Sequence, residues 1–402
     1  MNPLKKLFAK DEIEYLDWCL NHLNDDSEFV PLSESNYEFK SGDPKIIAYY
    51  LPQFYTSDLN DKWHGRGFTE WTNCTKTTPA FAGHYQPRLP IDVGFYSLET
   101  TAIMKRQIEL AKKYGIYGFC FYYYWFHGDR LMDKPIFNFL ADKSLDMPFM
   151  LFWANEHWTK NWGHHNAQDL NQKFYDAIHS ADEAEKFLDD IAPFLNDHRY
   201  IKINGRPALI VYRHRRYPHV AEFIAALQAA AVKRGIPEPY IMLVHDEDPA
   251  PGNGFHPSSY NGDAMAEFAM HSPAGPAEKK FKGFKNPDAR FKMWDSEKFI
   301  NNRDWKYDAE YPLHRGVMTN FDSSSRRIFN NLTPANIYGI TPDLYKQWLT
   351  DVLEWTRAQK DERLVFVSAW NEWAEAMYLE PCIKYGYAYL QATCDAIYNS
   401  RL

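Results

Sequence analysis

Short apolar runs recur along the chain, and polar or aromatic residues follow each of them. The runs begin at Ile46, Tyr117, Phe149, Ala208, Tyr240, Ala264, Gly316 and Leu364. Apolar runs of this length, bounded by turn-forming residues, are typical of buried strands. Amphipathic stretches or long connections separate them. Eight buried strands with intervening helices predict the α/β class, specifically a (β/α)8 TIM-type barrel.

Apolar residues at helical spacing lie between these runs. They predict helices at about 98–114, 182–191, 220–234, 342–359 and 387–397. Thr341 followed by Pro342 is a typical start signal for the fourth of these helices. Residues 53–97 show no regular period but are rich in aromatic side chains. We therefore expect a loop without regular structure that faces the substrate.

Two segments fall outside the strand–helix pattern. Residues 1–43 carry Ile13, Leu16 and Leu20 at helical spacing, which predicts a short N-terminal helical extension. Residues 272–312 are rich in proline, lysine and phenylalanine without a clear period, which predicts a long inserted loop. The expected organisation is an extension over 1–43 and a catalytic barrel over 44–402, with long loops after its strands.

The composition narrows the class of ligand. The formal net charge of -8 at pH 7 argues against a surface for nucleic acid or for anionic membranes. Aromatic residues make up 17% of the chain. Aromatic rings stack on the C–H faces of sugars, while indole N–H and phenol O–H groups bond to hydroxyls. Some of these rings fill a core, but their clustering beside polar motifs favours an oligosaccharide or polysaccharide substrate.

The sequence also leads to an expectation about the cellular location of the protein. The 5 cysteines are scattered and form no CxxC pair, which suits a reducing compartment. The N-terminal 20 residues lack the apolar centre of a signal peptide, and no window has the length of apolar residues that a transmembrane helix needs. We therefore expect a cytoplasmic protein without a transmembrane segment. No sequence feature indicates an oligomeric state.

The last predicted strand ends in two glutamates, Glu372 and Glu375, with Trp373 and Ala374 between them. If the backbone turns helically there, the two carboxylates lie on one face. Two like charges among apolar neighbours oppose folding, whereas glycoside cleavage requires such a pair, one carboxyl protonated and the other ionised. The structural alternative is two acids at the solvated start of a helix, where the dipole tolerates them. The strand and the indoles around the pair favour catalysis.

Side chains that follow the strands of a barrel meet at its C-terminal end. We expect substrate contacts there from Tyr50, Gln53, Trp71, Tyr123, Trp125, Asn155, Glu156, His245, Asn320, Asp322, Trp370 and Asn371. No cofactor and no metal are expected, because GxGxxG, GxxxxGK[ST], HExxH and GxSxG motifs are missing from the sequence. A single divalent metal held by Asp246, Asp248 or Asp322 stays open as an alternative.

Six ordered blocks resemble the WbsX family of proteins encoded in bacterial surface-polysaccharide loci and often described as glycosyltransferases. The blocks are Ile47–Phe54, Gly67–Trp71, Gly83–Pro87, Gly118–Phe126, Trp153–Glu156 and Trp370–Glu375. The resemblance spans roughly residues 46–385. The chain is also similar, more loosely, to glycoside hydrolase family 99, the endo-α-mannosidases, which are (β/α)8 barrels.

The resemblance to the hydrolases implies roles for the glutamates. Glu372 would act on the sugar 2-hydroxyl, which attacks the anomeric carbon to form an epoxide-like intermediate, and Glu375 would be the general acid/base. The resemblance also makes Glu156, Tyr50 and Tyr123 sugar-binding groups. The chain departs from the WbsX pattern after the second glutamate, where Ala376 stands in place of the usual glycine.

Four functions follow from these observations. The first is a retaining endo-glycosidase or transglycosidase that acts on a bacterial surface polysaccharide or its precursor. The second is a sugar-nucleotide-dependent glycosyltransferase in O-antigen or capsule biosynthesis, for which Asp246-Glu247-Asp248 fits the metal-binding Asp-x-Asp pattern. The third keeps the glycosidase but makes Glu156 the acid/base and one glutamate of the pair a direct nucleophile. The fourth is a glycan-binding barrel without catalysis.

Overall fold

Parallel strands form a nearly closed ring in the computed structural model, which describes residues 13–14, 16–17, 27–81, 83–159, 173–175, 179–215, 218–245, 255–268, 291–327 and 334–401. Within these residues the ring consists of β1 Lys45–Tyr50, β2 Gly118–Phe126, β3 Phe149–Trp153, β4 Arg206–Val211, β5 Tyr240–Val244, β6 Ala264–Ala266, β7 Leu313–His314, β8 Gly316–Met318 and β9 Leu364–Ser368. The order is β7-β6-β5-β4-β3-β2-β1-β9-β8, and every neighbouring pair is parallel.

Strands β7 and β8 are two parts of one segment, and together they close the ring. Only Arg315 separates them. On one side, the His314 carbonyl accepts the backbone N–H of Glu267, which follows β6, at 2.8 Å. On the other side, the Arg315 carbonyl accepts the N–H of Phe366 in β9, also at 2.8 Å. The ring therefore has eight positions, and the predicted (β/α)8 barrel is confirmed.

Helices follow most of the strands. Those of the described residues are α1 Asp58–His64, α2 Glu70–Thr75, α3 Ala102–Lys113, α4 Lys134–Ala141, α5 Ala184–Leu195, α6 Val220–Lys233, α7 Ser296–Asn301, α8 Ser324–Arg327, α9 Pro342–Arg357 and α10 Ala388–Asn399, with 3-10 turns at Ala181–Glu183, Pro257–Tyr260 and Trp373–Glu375. The predicted start of α9 is confirmed, because the Thr341 side chain accepts the N–H of Leu344 at 3.2 Å. Within these residues, no helix combines the length and apolarity needed to cross a bilayer.

The segment 53–97 differs from its prediction as an irregular loop, because α1 and α2 lie within it. Short polar caps explain both helices. The Ser57 hydroxyl accepts the N–H of Asn60 at 3.2 Å, and Thr69 begins α2 in a capping box with Thr72. Capping satisfies backbone N–H groups that a short helix otherwise leaves unpaired.

Short strands outside the ring complete the described structure. They are Asp129–Leu131, Trp158–Thr159, Lys173–Tyr175, Lys202–Ile203, Lys292–Asp295, Phe321–Asp322, Ala335–Tyr338, Asn371–Glu372 and Met377–Tyr378. One of them and α7 lie inside the predicted insertion 272–312, of which 272–290 fall outside the described residues, as does most of the predicted N-terminal helix. The boundaries at 43, 272 and 312 stay predictions.

The direction of each strand side chain decides what can reach the centre of the barrel. In β1, the Tyr49 ring lies 5.5 Å from the ring of Phe152 and 5.2 Å from that of Phe366, inside the ring of strands. The next residue, Tyr50, points the other way, and its hydroxyl donates to the Gln107 side chain of α3 at 2.6 Å. Successive strand residues alternate in this manner because the side-chain period of a strand is two.

Candidate active site

The glutamate pair lies in a small hairpin that follows β9. Asn371–Glu372 pairs with Met377–Tyr378 in antiparallel fashion, and Trp373–Glu375 forms a single 3-10 turn between the two strands. Ala376 ends the turn with a φ of 61°, in the left-handed region that favours glycine. The helical turn predicted after β9 therefore exists, but it is one turn long and is held within a hairpin.

A buried arginine, Arg326 of α8, joins both glutamates. One of its terminal nitrogens, Nη1, lies 2.5 Å from Glu375 Oε1, and the other, Nη2, lies 2.7 Å from Glu372 Oε1. Nη2 also lies 3.1 Å from Oε2 of Glu70, the first residue of α2. Glu70 and Glu372 are almost completely buried, whereas 16% of the Glu375 side chain is exposed. Three carboxylates from two loops thus meet on one guanidinium.

The environment of Glu372 shifts its protonation strongly. Burial raises the pKa of its carboxyl to about 8, with the charges of Glu375 and Glu70 acting in the same direction and Arg326 opposing them. Removing a carboxylate from water disfavours its ionised form, and nearby like charges add to this effect. At neutral pH the site therefore contains a carboxyl that retains its proton, beside a more exposed glutamate.

Two tyrosines of β2 face the same centre. The Tyr124 hydroxyl accepts a hydrogen bond from the Gln53 side chain at 2.9 Å, and the Tyr122 ring packs against that of Phe152 inside the barrel at 5.1 Å. Burial raises the pKa of both tyrosines, and the charge of Glu372 raises it further. The Gln53 carbonyl also accepts the backbone N–H of Glu70 at 3.3 Å, so Gln53 and Tyr124 lie beside the three carboxylates that meet on Arg326.

Tyr50, Tyr123 and Trp125, three of the predicted substrate contacts, point into the helix layer. The Tyr123 hydroxyl donates to the Asp190 carboxylate of α5, and the Trp125 ring packs 5.0 Å from that of Phe187. The structure therefore does not bring these three side chains to the glutamate pair. If alternate residues of β2 had been expected to face the interior, as Tyr49 does in β1, the prediction would have selected Tyr122 and Tyr124 instead.

Asn155 and Glu156 follow β3, and both contact Arg213, which follows β4. The Asn155 amide bridges the strands, because its Oδ1 accepts the N–H of Arg213 at 2.7 Å and its Nδ2 donates to the Arg213 carbonyl at 3.2 Å. Glu156 is half-exposed, with Oε2 at 3.3 Å from Nη2 of Arg213. Its charge also raises the pKa of Tyr124. Glu156 therefore lies at the same end of the barrel as the glutamate pair.

His245 belongs to a second buried group, built from residues that follow β5, β6 and β7. Its Nε2 lies 3.3 Å from the Tyr307 hydroxyl, which donates to Glu267 at 2.7 Å. Glu267 also forms an ion pair with the fully buried Arg315 at 3.0 Å. Arg315 is not among the residues predicted from the sequence, although a single charged residue between two apolar runs is a signal of its burial with a partner.

Asp322 and Asn320 contact neighbouring protein groups. The fully buried Asp322 carboxylate receives His84 Nε2 and Gln86 Nε2, each at 2.7 Å. Burial raises the pKa of Asp322, but His84 and nearby positive charge lower it more, so the net shift is downward. Asn320 Oδ1 accepts the N–H of Phe321 at 2.8 Å. Asp322 thereby connects the loop at 83–87 to the start of α8.

The predicted residues Trp71, Trp370 and Asn371 are buried around the hairpin. Trp71 Nε1 donates to the Tyr96 carbonyl at 2.8 Å, and Trp370 Nε1 donates to a carboxylate oxygen of Glu380 at 3.2 Å. The Asn371 amide accepts from and donates to the backbone of Leu51, at 2.7 and 3.0 Å. These contacts hold in place the hairpin that carries the glutamate pair.

Three other residues could hold a metal ion within the described part of the chain. Potential ligand atoms of His127, His179 and Glu183 all lie within 4.8 Å of one another. His127 Nδ1 also lies 2.7 Å from Glu183 Oε1, which is the geometry of a hydrogen-bonded pair between the end of β2 and the turn before α5. Of the three open metal alternatives of the sequence, Asp246 and Asp248 lie outside the described residues, and the Asp322 carboxylate contacts His84 and Gln86.

The barrel and the carboxylate cluster at its C-terminal end are typical of carbohydrate-active enzymes. The chain belongs to the glycosyltransferase WbsX family, whose sequence model matches residues 46–393, which confirms the resemblance drawn from the six blocks. Uncharacterized proteins WxcX from two strains of Xanthomonas campestris pv. campestris are 36% identical over 357 residues, which are 88% of this chain. The match covers 49% of each WxcX protein, so the chain spans about half the length of these relatives.

Solved structures share the fold. A glycoside hydrolase-like protein superposes with a TM-score of 0.54 at 14% identity, covering 92% of this chain and 98% of its own. A family 99 endo-α-mannosidase from Bacteroides thetaiotaomicron superposes with a TM-score of 0.53 at 14% identity, covering 89% of this chain and 97% of its own. At this identity the similarity establishes the barrel fold alone.

Proposed function

We propose that the chain is a retaining endo-glycosidase or transglycosidase that acts on a bacterial surface polysaccharide or its precursor, with Glu372 and Glu375 as its catalytic carboxylates. The observation that carries this proposal is the position of both glutamates on Arg326 at the C-terminal end of the barrel. Holding two acids beside each other in a buried place is costly for folding. A catalytic pair is the function that most directly explains that cost.

The proposed roles follow the resemblance to the mannosidases. Glu372 takes the proton of the sugar 2-hydroxyl, whose oxygen bonds to the anomeric carbon as the bond to the leaving oxygen breaks. Glu375 gives the leaving oxygen a proton. In the second step Glu375 takes a proton from the incoming water or sugar hydroxyl, whose oxygen attacks the anomeric carbon and opens the intermediate. Glu372 then returns its proton to the 2-oxygen. With a pKa of about 8, only the minority of Glu372 that is ionised at neutral pH can act as this base, but that form is a stronger base than an ordinary carboxylate.

Three alternatives are retained as outcomes of the test. Glu156 lies at the same end of the barrel and would serve as acid/base if one glutamate of the pair attacked the sugar directly. The description of the family as a glycosyltransferase supports a transferase, and the donor tested for it is a sugar nucleotide. A glycan-binding barrel without catalysis would bind sugars and release no product.

The experiment is a product assay on the purified protein. The protein is incubated with α-mannan fragments, and separately with UDP- and GDP-sugars plus lipid-linked acceptors, without metal and then with Mn²⁺. The variants are Glu372→Gln, Glu375→Gln and Glu156→Gln. Glu362→Gln is the matched control, because this partly exposed glutamate pairs with Lys45 at the N-terminal end of β1, far from the pair in the fold.

We expect oligosaccharide release or transfer without metal. The Glu375→Gln variant should lose a factor on the order of 10² or more in turnover, with Glu372→Gln behaving similarly and Glu362→Gln unchanged. Loss of activity only in Glu156→Gln would favour the direct-displacement alternative. Nucleotide release that depends on the acceptor would make the protein a transferase.

A further inference from the structure

Glu380, two residues after the hairpin, is a buried carboxylate surrounded by hydrogen-bond donors. Its Oε1 accepts Nε2 of Gln107 at 2.7 Å and Nε1 of Trp370 at 3.2 Å. Its Oε2 accepts Nε1 of Trp373 at 2.6 Å and the hydroxyl of Tyr96 at 3.0 Å. Only 2% of the residue is exposed, and among the described residues it forms no ion pair with a cation.

The donors are distributed on both sides of the catalytic hairpin. Trp370 and Trp373 flank Asn371 and Glu372 in the sequence, so one carboxylate fixes the chain before and after Glu372. Trp373 is also the first residue of the 3-10 turn that carries Glu375. Four donors on one acceptor group fix its position and their own, because each would be left unpaired in a buried place if the group moved.

The same carboxylate connects the hairpin to the barrel wall. The Gln107 side chain that binds Glu380 also receives the hydroxyl of Tyr50 from β1. The Tyr96 hydroxyl that donates to Glu380 accepts from Asn371 Nδ2 at 3.2 Å. The contacts thus run from β1 and α3 through Glu380 to the residues beside Glu372.

We propose that Glu380 is a positioning residue that holds Glu372 and the turn bearing Glu375 in their places, an inference that rests on the proposed function of that pair. It touches neither Arg326 nor the two glutamates in the described contacts, so its effect on catalysis is indirect. A positioning residue changes the geometry of the site, whereas a residue with only a structural role changes the stability of the fold.

The test compares wild type with Glu380→Gln by crystallography at one pH and by steady-state kinetics on the substrate that the product assay identifies. Glutamine has the same shape, but its amide N–H2 would face an indole or amide N–H, donor against donor. Trp373→Phe is the second variant, because it keeps an aromatic ring and removes one N–H from Glu380. Tyr345→Phe is the matched control for stability, since it removes a buried hydrogen bond to Thr393 between α9 and α10.

We expect the 2.7 Å contact between Glu372 and Arg326 to lengthen in Glu380→Gln. We also expect kcat to fall roughly 10- to 100-fold with KM nearly unchanged, as when residues that orient catalytic groups are removed. Unmoved Glu372, or kcat equal to that of Tyr345→Phe, would overturn the inference. If wild type acted on none of the probes, the proposed function would fail, whereas the crystal structures would still decide whether Glu380 positions Glu372.

Discussion

Replacing Glu372 by glutamine should stabilise the protein at neutral pH. In the unfolded chain this carboxyl ionises with a pKa near 4.5, whereas in the folded protein it retains its proton up to a pKa of about 8. The folded state therefore binds more protons over this range, and the free energy of unfolding decreases as pH rises from about 4.5 to about 8. Glutamine imitates the protonated form that the folded protein prefers.

The magnitude follows from the size of the pKa shift. Each pKa unit corresponds to about 1.4 kcal/mol, so ionisable Glu372 lowers the free energy of unfolding by on the order of 3 kcal/mol at pH 7. The effect rises to roughly 5 kcal/mol above pH 8 and vanishes below the unfolded pKa. In a chain of this length, 3 kcal/mol corresponds to an increase of about 4 °C in Tm.

Urea unfolding of wild type and Glu372→Gln at pH 5.0 and pH 7.5 measures this difference. The two proteins should have similar free energies of unfolding at the lower pH, and the variant should be the more stable at the higher pH. Glu362→Gln serves as the control for removing a partly exposed charge. A variant that is less stable at pH 7.5, or a difference that is the same at both pH values, would refute the argument that Glu372 is destabilised by burial.

Three further predictions address the same site. If Glu372 acts as a base, kcat/KM, which reports the ionisations of the free enzyme, should rise with pH through an apparent pKa near 8; a profile of kcat/KM that falls over this range would make Glu372 the acid. Arg326→Lys should lower kcat by a factor on the order of 10², because one ammonium group cannot reproduce the bonds of a guanidinium to Glu70, Glu372 and Glu375; unchanged kinetics would contradict this. Ala376→Gly should stabilise the protein by about 1 kcal/mol, since a φ of 61° strains any residue with a Cβ; a lower Tm in thermal unfolding would show that the turn does not hold this strain.

Strand β2 shows why only some of the predicted substrate contacts lie near the glutamate pair. All nine of its residues are buried, because the inner side packs in the barrel and the outer side packs against helices. In such a strand, apolar residues occupy both faces, and the sequence contains no alternation that distinguishes them. Tyr122 and Tyr124 face the glutamate pair, while Tyr123 and Trp125 face α5, although all four have similar side chains.

Arg326 illustrates a second kind of information that the sequence lacks. It lies 46 residues from Glu372 and 256 residues from Glu70 along the chain, in a segment without any motif. Its importance comes from the arrangement of α2, α8 and the hairpin, which brings the three carboxylates to one side chain. The same arrangement raises the pKa of Glu372, since burial and neighbouring charge are properties of the folded protein.

The sequence by itself determined the barrel, the five longest of the described helices and the glutamate block, because strand and helix periods, capping residues and short motifs are local. Only the tertiary structure decided which side of each strand faces the centre and which residues surround the glutamate pair. It also decided that the buried Glu380 bonds to the residues beside Glu372. These features depend on contacts between residues that are distant along the chain. Such contacts form only when the ring of strands closes through Arg315 and brings the strand ends together.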